Sequence, residues 1–361
     1  MRTVDIKGAF LKAKVPDDLE LIVKMEGDLA ILMNQFCDEF KIDQHGMMYL
    51  KCIKALYGHV EAARLFYNDL HESLTMKMGF VKNGYDPCVY NKKTNEGMVT
   101  VRAHVDDLKI SSKSERELLK VIDNLREIYQ EITVHEGSSH DYLGMIMTHD
   151  LDKQCVTINM EKYILACIEG FEEEVSDERL RSANTPASNY LFKTRQDNGV
   201  KLTREKAKLF HSTVAKLLFV AKRARPDILL TVSFLLTRVK CPDQDDWKKL
   251  MRLLGYLKGT ADLYLTLLCS NLNNLTWYID GSYASHEDMR GQSGAMLLAG
   301  DCAVLFRSNK QKVNTRSSTE TELVAVDDAL PTIQWTKQFM YDQGYDLEMI
   351  IKEDNRSKIL F

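Results

Sequence analysis

No two of the eight cysteines stand in a C-x-x-C pair; they are scattered at positions 37, 52, 88, 155, 167, 241, 269 and 302. That argues against a zinc site and for a reduced, intracellular setting. Long apolar runs are also missing. "KLLFVA" and "ILLTVSFLL" fall far short of the roughly 20 residues a membrane-spanning helix needs. The opening "MRTVDIKGAF" lacks the apolar stretch of a signal peptide, so secretion is not expected. There is no basic excess: the net charge is −4, which weighs against a nucleic-acid partner in general. No internal repeat and no low-complexity tract appears. What remains is ordinary globular composition, 45% hydrophobic and 28% charged over 361 residues, enough for two or three domains.

The charge is unevenly spread. "AKRARPD" holds Lys222, Arg223 and Arg225, and "FRSNKQKVNTR" holds Arg307, Lys310, Lys312 and Arg316 with no acid between them. Acids concentrate elsewhere, as in "FEEEVSDER" at 171–179. A solvated surface accounts for either patch singly; a groove lined by several would hold phosphates.

Residues 1–150 read as α+β, with three or four antiparallel strands and covering helices. "EAARLFYNDLHESLTMKMGF" carries Ala62, Leu65, Phe66, Leu70, Leu74 and Met78 on one helical stripe. "SERELLKVIDNLREIYQ" is a second helix, with Ser114 and Glu117 at capping-box spacing. Residues 151–269 read as mainly helical, and the polar "SNLNN" at 270–274 as a linker. Residues 275–361 read as a separate α/β unit. It comprises a strand at "LTWYID", a hairpin turning at Gly300-Asp301, a helix interrupted or kinked at Pro331, and a strand at "LEMIIKED".

"VTVRAHVDDLKISS", residues 99–112, alternates on both sides of Asp106-Asp107 and predicts a hairpin turning at that pair. Asp suits turns and water, so the pair has a plain explanation. Two adjacent carboxylates also make a hard oxygen site for Mg²⁺. Asp5 in "VDIKGAF" ends the first strand and is a third candidate ligand. Three such carboxylates suit two metal ions and phosphoryl transfer; Asp5 equally suits a cap on the turn that follows.

"VDIKGAFL", "KALYGHVEAARLFYNDL", "GYDPCVY" and "AHVDDLKI", in this order and spacing, resemble the reverse transcriptase of copia-type LTR retrotransposons. The resemblance continues through "YLGMIM", "VAKLLFVAKRARPDILLTVSFLLTRV", "WKKLMRLLGYLKGT", "WYIDGSYA", "GQSGA" and "SNKQKVNTRSSTETELVAV", and so covers essentially the whole chain. It implies a polymerase palm over 1–150, a helical thumb or connection over 151–269 and a ribonuclease H-like domain over 275–361. It implies an RNA-directed DNA polymerase with ribonuclease H, acting on a primed RNA or DNA template, dNTPs and an RNA–DNA hybrid. Two Mg²⁺ or Mn²⁺ ions per active site are implied, as is association with other parts of the same Pol polyprotein. The implied location is a cytoplasmic particle or the nucleus.

By the same resemblance Asp5, Asp106 and Asp107 are the polymerase metal ligands. Phe10 is an aromatic gate against the ribose 2′-hydroxyl, although a core aromatic is its other reading. Gly58 and Arg64 shape the template and nucleotide pocket. Asp280, Glu322 and Asp354 are the ribonuclease H acids, and Arg307, Lys310, Lys312 and Arg316 lie along the hybrid backbone. Glu322 also completes a capping box with Thr319. Glu61 stands where the family has Gln, and His104 where it has Tyr. The family's fingers region before the first acidic strand, and its tail after the third ribonuclease H acid, are not in this sequence. Impaired catalysis is therefore expected, with a non-catalytic nucleic-acid-binding remnant as the alternative.

Overall fold

The computed structural model describes residues 1–37, 39–175, 178–194, 200–268 and 272–353. They form two compact units, Met1–Gly137 and a second beginning at Ser138. The first comprises β1 (Arg2–Ile6), α1 (Ala9–Lys12), β2 (Ile22–Glu26), α2 (Asp28–Phe36), β3 (Met47–Lys51) and α3 (Ala62–Glu72). Then come β4 (Val81–Lys82), β5 (Val89–Thr94), β6 (Gly97–His104), β7 (Asp107–Ser112), α4 (Glu115–Tyr129) and β8 (Ile132–His135). Six strands make one antiparallel sheet, ordered β4-β5-β6-β7-β1-β8, and β2 pairs with β3 apart from it. This is a wider sheet than the three or four strands expected.

Alternation decides which face is covered. Val4, Ile6, Leu108 and Ile110 are buried against α3 and α4 residues such as Phe66, Leu70, Ile122 and Leu125. The α3 stripe is buried as its spacing requires, from Ala62 to Met78. Ser114 caps α4, its hydroxyl accepting from Glu117 N. The opposite sheet face carries Thr3, Asp5, Asp107 and Lys109, since successive strand residues point to opposite sides.

The second unit begins with β9 (Ser139–Tyr142), β10 (Met145–Asp150) and β11 (Cys155–Asn159). Four helices follow: α5 (Glu161–Glu174), α6 (Arg204–Ala221), α7 (Leu229–Arg238) and α8 (Gln244–Lys258). It ends with β12 (Leu265–Leu268), β13 (Asn274–Ser282), β14 (Gln292–Ala299), β15 (Cys302–Lys310), α9 (Ser318–Asp342) and β16 (Glu348–Lys352). β9 and β10 pair with β11 and β12, so the break between units falls at 137/138 and not at 150. α9 runs unbroken through Pro331, where an interruption or kink was expected. The last sheet is ordered β15-β14-β13-β16, with β16 parallel to β13 and the β14–β15 turn at Gly300-Asp301. Among the described residues no helix is long and apolar enough to cross a membrane.

The patch expected around Lys222, Arg223 and Arg225 is not one surface. Arg225 is 2% exposed. Its guanidinium grips both carboxylate oxygens of Asp227 and donates to the carbonyl and hydroxyl of Thr260. It ties the turn before α7 to the end of α8. Arg223 lies over the Phe219 ring, 3.6 Å from its centroid.

A buried histidine joins α7 to the last sheet. His286 Nε2 donates to Gln292 Oε1 at 2.8 Å, and Gln292 Nε2 donates to the hydroxyls of Ser233 and Ser308. Burial holds the His286 pKa below its usual value; Lys310 adds to this, while the Gln292 bond and Asp288 oppose it. A lowered pKa means the unfolded chain binds more protons, so stability is full above about pH 6.5 and declines as pH falls below it. The denaturation midpoint of the second unit should therefore drop between pH 7 and 5, and His286→Phe should flatten that part of the profile. An unchanged slope in the variant would remove His286 as its source.

Candidate active sites

In the first unit the sheet register assembles the acids. Asp5 is directly opposite Asp107 across β1 and β7, and His104 is opposite Asp107 across β6 and β7. Directly opposed residues share a face, with Cβ atoms roughly 5 Å apart. Ile6 N donates to the carbonyl of Asp106 at 3.1 Å, which fixes the hairpin end beside the strand carrying Asp5. Asp5 is thus a strand residue and does not cap the next turn; α1 begins after Gly8 with no side-chain cap.

The turn lies one residue earlier than expected. His104 pairs with Asp107, so Val105 and Asp106 form the loop and Asp107 opens β7. Val105 has φ 56°, a conformation that costs a β-branched residue of order 1–3 kcal/mol. The next row on the open face is Arg102, Lys109 and Thr3. Burial, then Arg102, holds the Lys109 pKa below its usual value. These two cations were not singled out in the sequence, although their alternation with Val101, Ala103, Leu108 and Ile110 marks their face.

Three carboxylates make a hard oxygen set of the kind Mg²⁺ and Mn²⁺ take. The backbone placement of Asp5, Asp106 and Asp107 suits it. Among the described residues, however, no three His, Cys, Asp or Glu side chains are gathered around one point.

Phe10 packs on Tyr57 with ring centroids 4.7 Å apart and on Phe66 at 6.4 Å. It sits beside the turn of Gly58, whose φ of 88° favours glycine. Tyr57, 53% exposed, is the member of this group that sequence reasoning missed. Arg64 is ion-paired with Glu61, so the residue standing in for the family's Gln holds the predicted pocket arginine.

In the second unit Asp280 lies on β13 and Glu322 on α9. The capping box expected between Thr319 and Glu322 does not form. Ser317 is the N-cap, accepting from Glu320 N, and the Glu320 carboxylate accepts from Arg316 N. Glu322 therefore sits a turn inside α9 and is buried. What brings it to the sheet is Gly281. A Cβ there would lie 2.8 Å from the Thr321 carbonyl oxygen and 3.1 Å from the Glu322 Cα. Asp280, one residue earlier, is exposed on the other side of the strand with Tyr278. It lines a cavity of about 640 Å³ with Phe306, Lys352 and Glu353. The two acids thus flank one backbone contact without sharing a sheet face. Asp354 lies outside the described residues.

Gly281→Ala should force α9 back from β13 and cost about 1–3 kcal/mol, as overpacking against fixed backbone does. Gly294→Ala is the control, because its Cβ would meet only the Asp280 carbonyl at 3.7 Å. Equal melting temperatures for the two variants would contradict the close contact.

The basic run is divided. Arg307 donates to the Asp328 carbonyl and to Thr332 on α9. Lys310 pairs with Asp288 at 2.7 Å. Lys312 and Arg316 are exposed. Two of the four cations are thus committed within the protein.

No family model matches the chain. It is 26% identical, over 99% of its length, to the retrovirus-related Pol polyprotein from transposon TNT 1-94 of Nicotiana tabacum. It is also 26% identical over 96% of its length to that of transposon RE1 of Arabidopsis thaliana. The chain spans only 26% and 22% of those proteins. With the putative transposon Ty5-1 protein of Saccharomyces cerevisiae it shares 27% identity, over 77% of this chain and 87% of that one. A solved foamy viral protease-reverse transcriptase in complex with RNA/DNA hybrid matches 98% of this chain and 44% of its own, with a TM-score of 0.51 and 11% identity. The homologues are thus Pol polyproteins of copia-type transposons, and the fold is shared with a retroviral reverse transcriptase.

Proposed function

We propose that this chain is the polymerase and ribonuclease H region of a retrotransposon Pol polyprotein, working by metal-assisted phosphoryl transfer on nucleic acid. The observation that carries the reading is the register of Asp5 with Asp107, with Asp106 in the turn tied to Ile6. The homology extends over that palm-like unit and over the second unit, read as thumb or connection followed by a ribonuclease H-like domain.

In this reading Asp5, Asp106 and Asp107 would hold Mg²⁺ or Mn²⁺ for polymerisation. Asp280, Glu322 and Asp354 are assigned to cleavage of the RNA strand of a hybrid; Asp280, exposed on β13, is open to solvent, and Glu322 lies on the other side of that strand. Bound there, such ions would supply Lewis-acid activation of an attacking oxygen and charge stabilisation of a leaving one. Phe10, braced by Tyr57, walls the sugar of the incoming dNTP, and Gly58 lets the backbone approach the template. Lys312 and Arg316 contact the hybrid backbone.

The test is RNA-templated primer extension together with thermal melting in Mn²⁺. Incorporation above background and a metal-dependent rise in melting temperature are expected, both removed by Asp106→Asn. Nucleic-acid binding with neither effect would favour the remnant reading instead.

A further inference from the structure

The second unit carries a basic groove that neither candidate active site uses. One wall is the segment 179–183; the floor is the outer face of α8. Two concavities, about 610 and 460 Å³, share Lys248 and Arg252. The first adds Arg179 and Arg181, and the second adds Tyr190 and Lys193. Lys248 and Arg252 are four residues apart on α8 and so share a face.

The acids at the rim are already engaged. Glu178 accepts from Lys206 and from the Trp247 indole, and Asp245 pairs with Lys249 at 3.0 Å. Among the described residues no carboxylate pairs with Arg179, Arg181, Lys248 or Arg252; Arg252 donates to the Thr185 hydroxyl. In a protein of net charge −4, this is a local excess of unneutralised cations. Its position is built in. A Cβ on Gly255 would lie 1.9 Å from the Arg181 carbonyl oxygen, so only glycine lets the segment rest on α8 and set its arginines beside Lys248 and Arg252. At the far end Tyr190 is 62% exposed, with Lys193 Nζ 4.7 Å from its ring centroid. A cationic groove ending in an exposed aromatic platform is the combination that takes a single strand, phosphates in the groove and a base on the ring.

We propose that this groove binds single-stranded nucleic acid, its backbone along Arg179, Arg181, Lys248 and Arg252 and a base stacked on Tyr190. The identity of the polyanion rests on the function proposed above. Binding of a fluorescent single-stranded oligonucleotide to the full chain, measured by anisotropy across a salt series, tests it. K248Q/R252Q should weaken binding about tenfold near 0.1 M salt and flatten the salt dependence by about 0.7 for each phosphate no longer neutralised. Tyr190→Ala should weaken binding while leaving the slope unchanged. An unlabelled duplex should compete less well than the single strand.

Circular dichroism and melting temperature check that each variant folds. If K248Q/R252Q binds with wild-type affinity and slope, the groove assignment fails while the general nucleic-acid reading stands. If the wild-type chain binds no oligonucleotide, both fail. If duplex competes equally and Tyr190→Ala has no effect, the single-strand assignment is overturned.

Discussion

Arg225→Ala should unfold the second unit at a distinctly lower denaturant concentration, a loss of about 3 kcal/mol. Removing one partner of a buried ion pair typically costs about 3–5 kcal/mol, because the other partner is left uncompensated. Asp227 keeps 36% of its side chain in water, which places the expected loss at the low end. Burial alone would raise the Asp227 pKa, but the hydrogen bonds and charge of Arg225 outweigh it, and Tyr256 adds a bond at 2.8 Å. The Thr260 carbonyl also loses its donor. Arg225→Lys should recover little, since an ammonium cannot reproduce the planar fork that meets Asp227 and Thr260 together. The exposed neighbour supplies the comparison: Lys222→Ala should shift stability by no more than about 0.5 kcal/mol. If Arg225→Ala were as mild as Lys222→Ala in urea denaturation, the clamp between the α7 turn and α8 would not be holding the unit together.

The largest functional effect should be a reciprocal one. Asp107→Asn should abolish primer extension, by at least about a hundredfold, because a lost charge-stabilising group costs several kcal/mol in the transition state. It should leave cleavage of an RNA–DNA hybrid unchanged. Asp280→Asn should do the reverse. Asp107→Asn should also raise, not lower, the metal-free melting temperature, because like charges directly opposite on neighbouring strands destabilise a sheet. The Asp5–Asp107 pair is such a case. Higher stability with lost activity is the signature of a residue kept for chemistry. A fall of several degrees in the metal-free protein would instead make Asp107 a structural residue.

Much of the fold was legible because local rules and tertiary packing agree. Ser114 caps α4 by accepting from Glu117 N, although its own N–H goes to Ser112 and not to Glu117, and the stripe from Ala62 to Met78 is buried as its spacing requires. The failures occurred where a distant contact chose between local alternatives. Asp106-Asp107 and Val105-Asp106 are both possible turns in an alternating sequence; the β6–β7 register takes the second, and the Asp106 carbonyl then accepts from Ile6 N on β1. In "SSTETE" the pair Ser317 and Glu320, which sequence reasoning missed, has the same spacing as Thr319 and Glu322. The helix starts at the first, and Gly281 packs against the backbone of Thr321 and Glu322 within it. Charge was the least legible property. Arg225 reads as surface until Thr260, 35 residues on, supplies its acceptors. The groove beside α8 is likewise invisible when its arginines and lysines are read along the chain.

The place of β1 has a consequence for how the molecule is made. Its five residues lie between β7 and β8, so the strand bearing Asp5 has no neighbour in the sheet until β7 has been synthesised. At roughly 5–20 residues per second, about a hundred residues of later chain take seconds to tens of seconds to emerge. During that interval β1 is an unpaired strand, apolar only on the face of Val4 and Ile6, and the edge that will pair with β7 is open to other chains. Asp5 therefore meets the carboxylate opposite it only across a gap of about a hundred residues of chain.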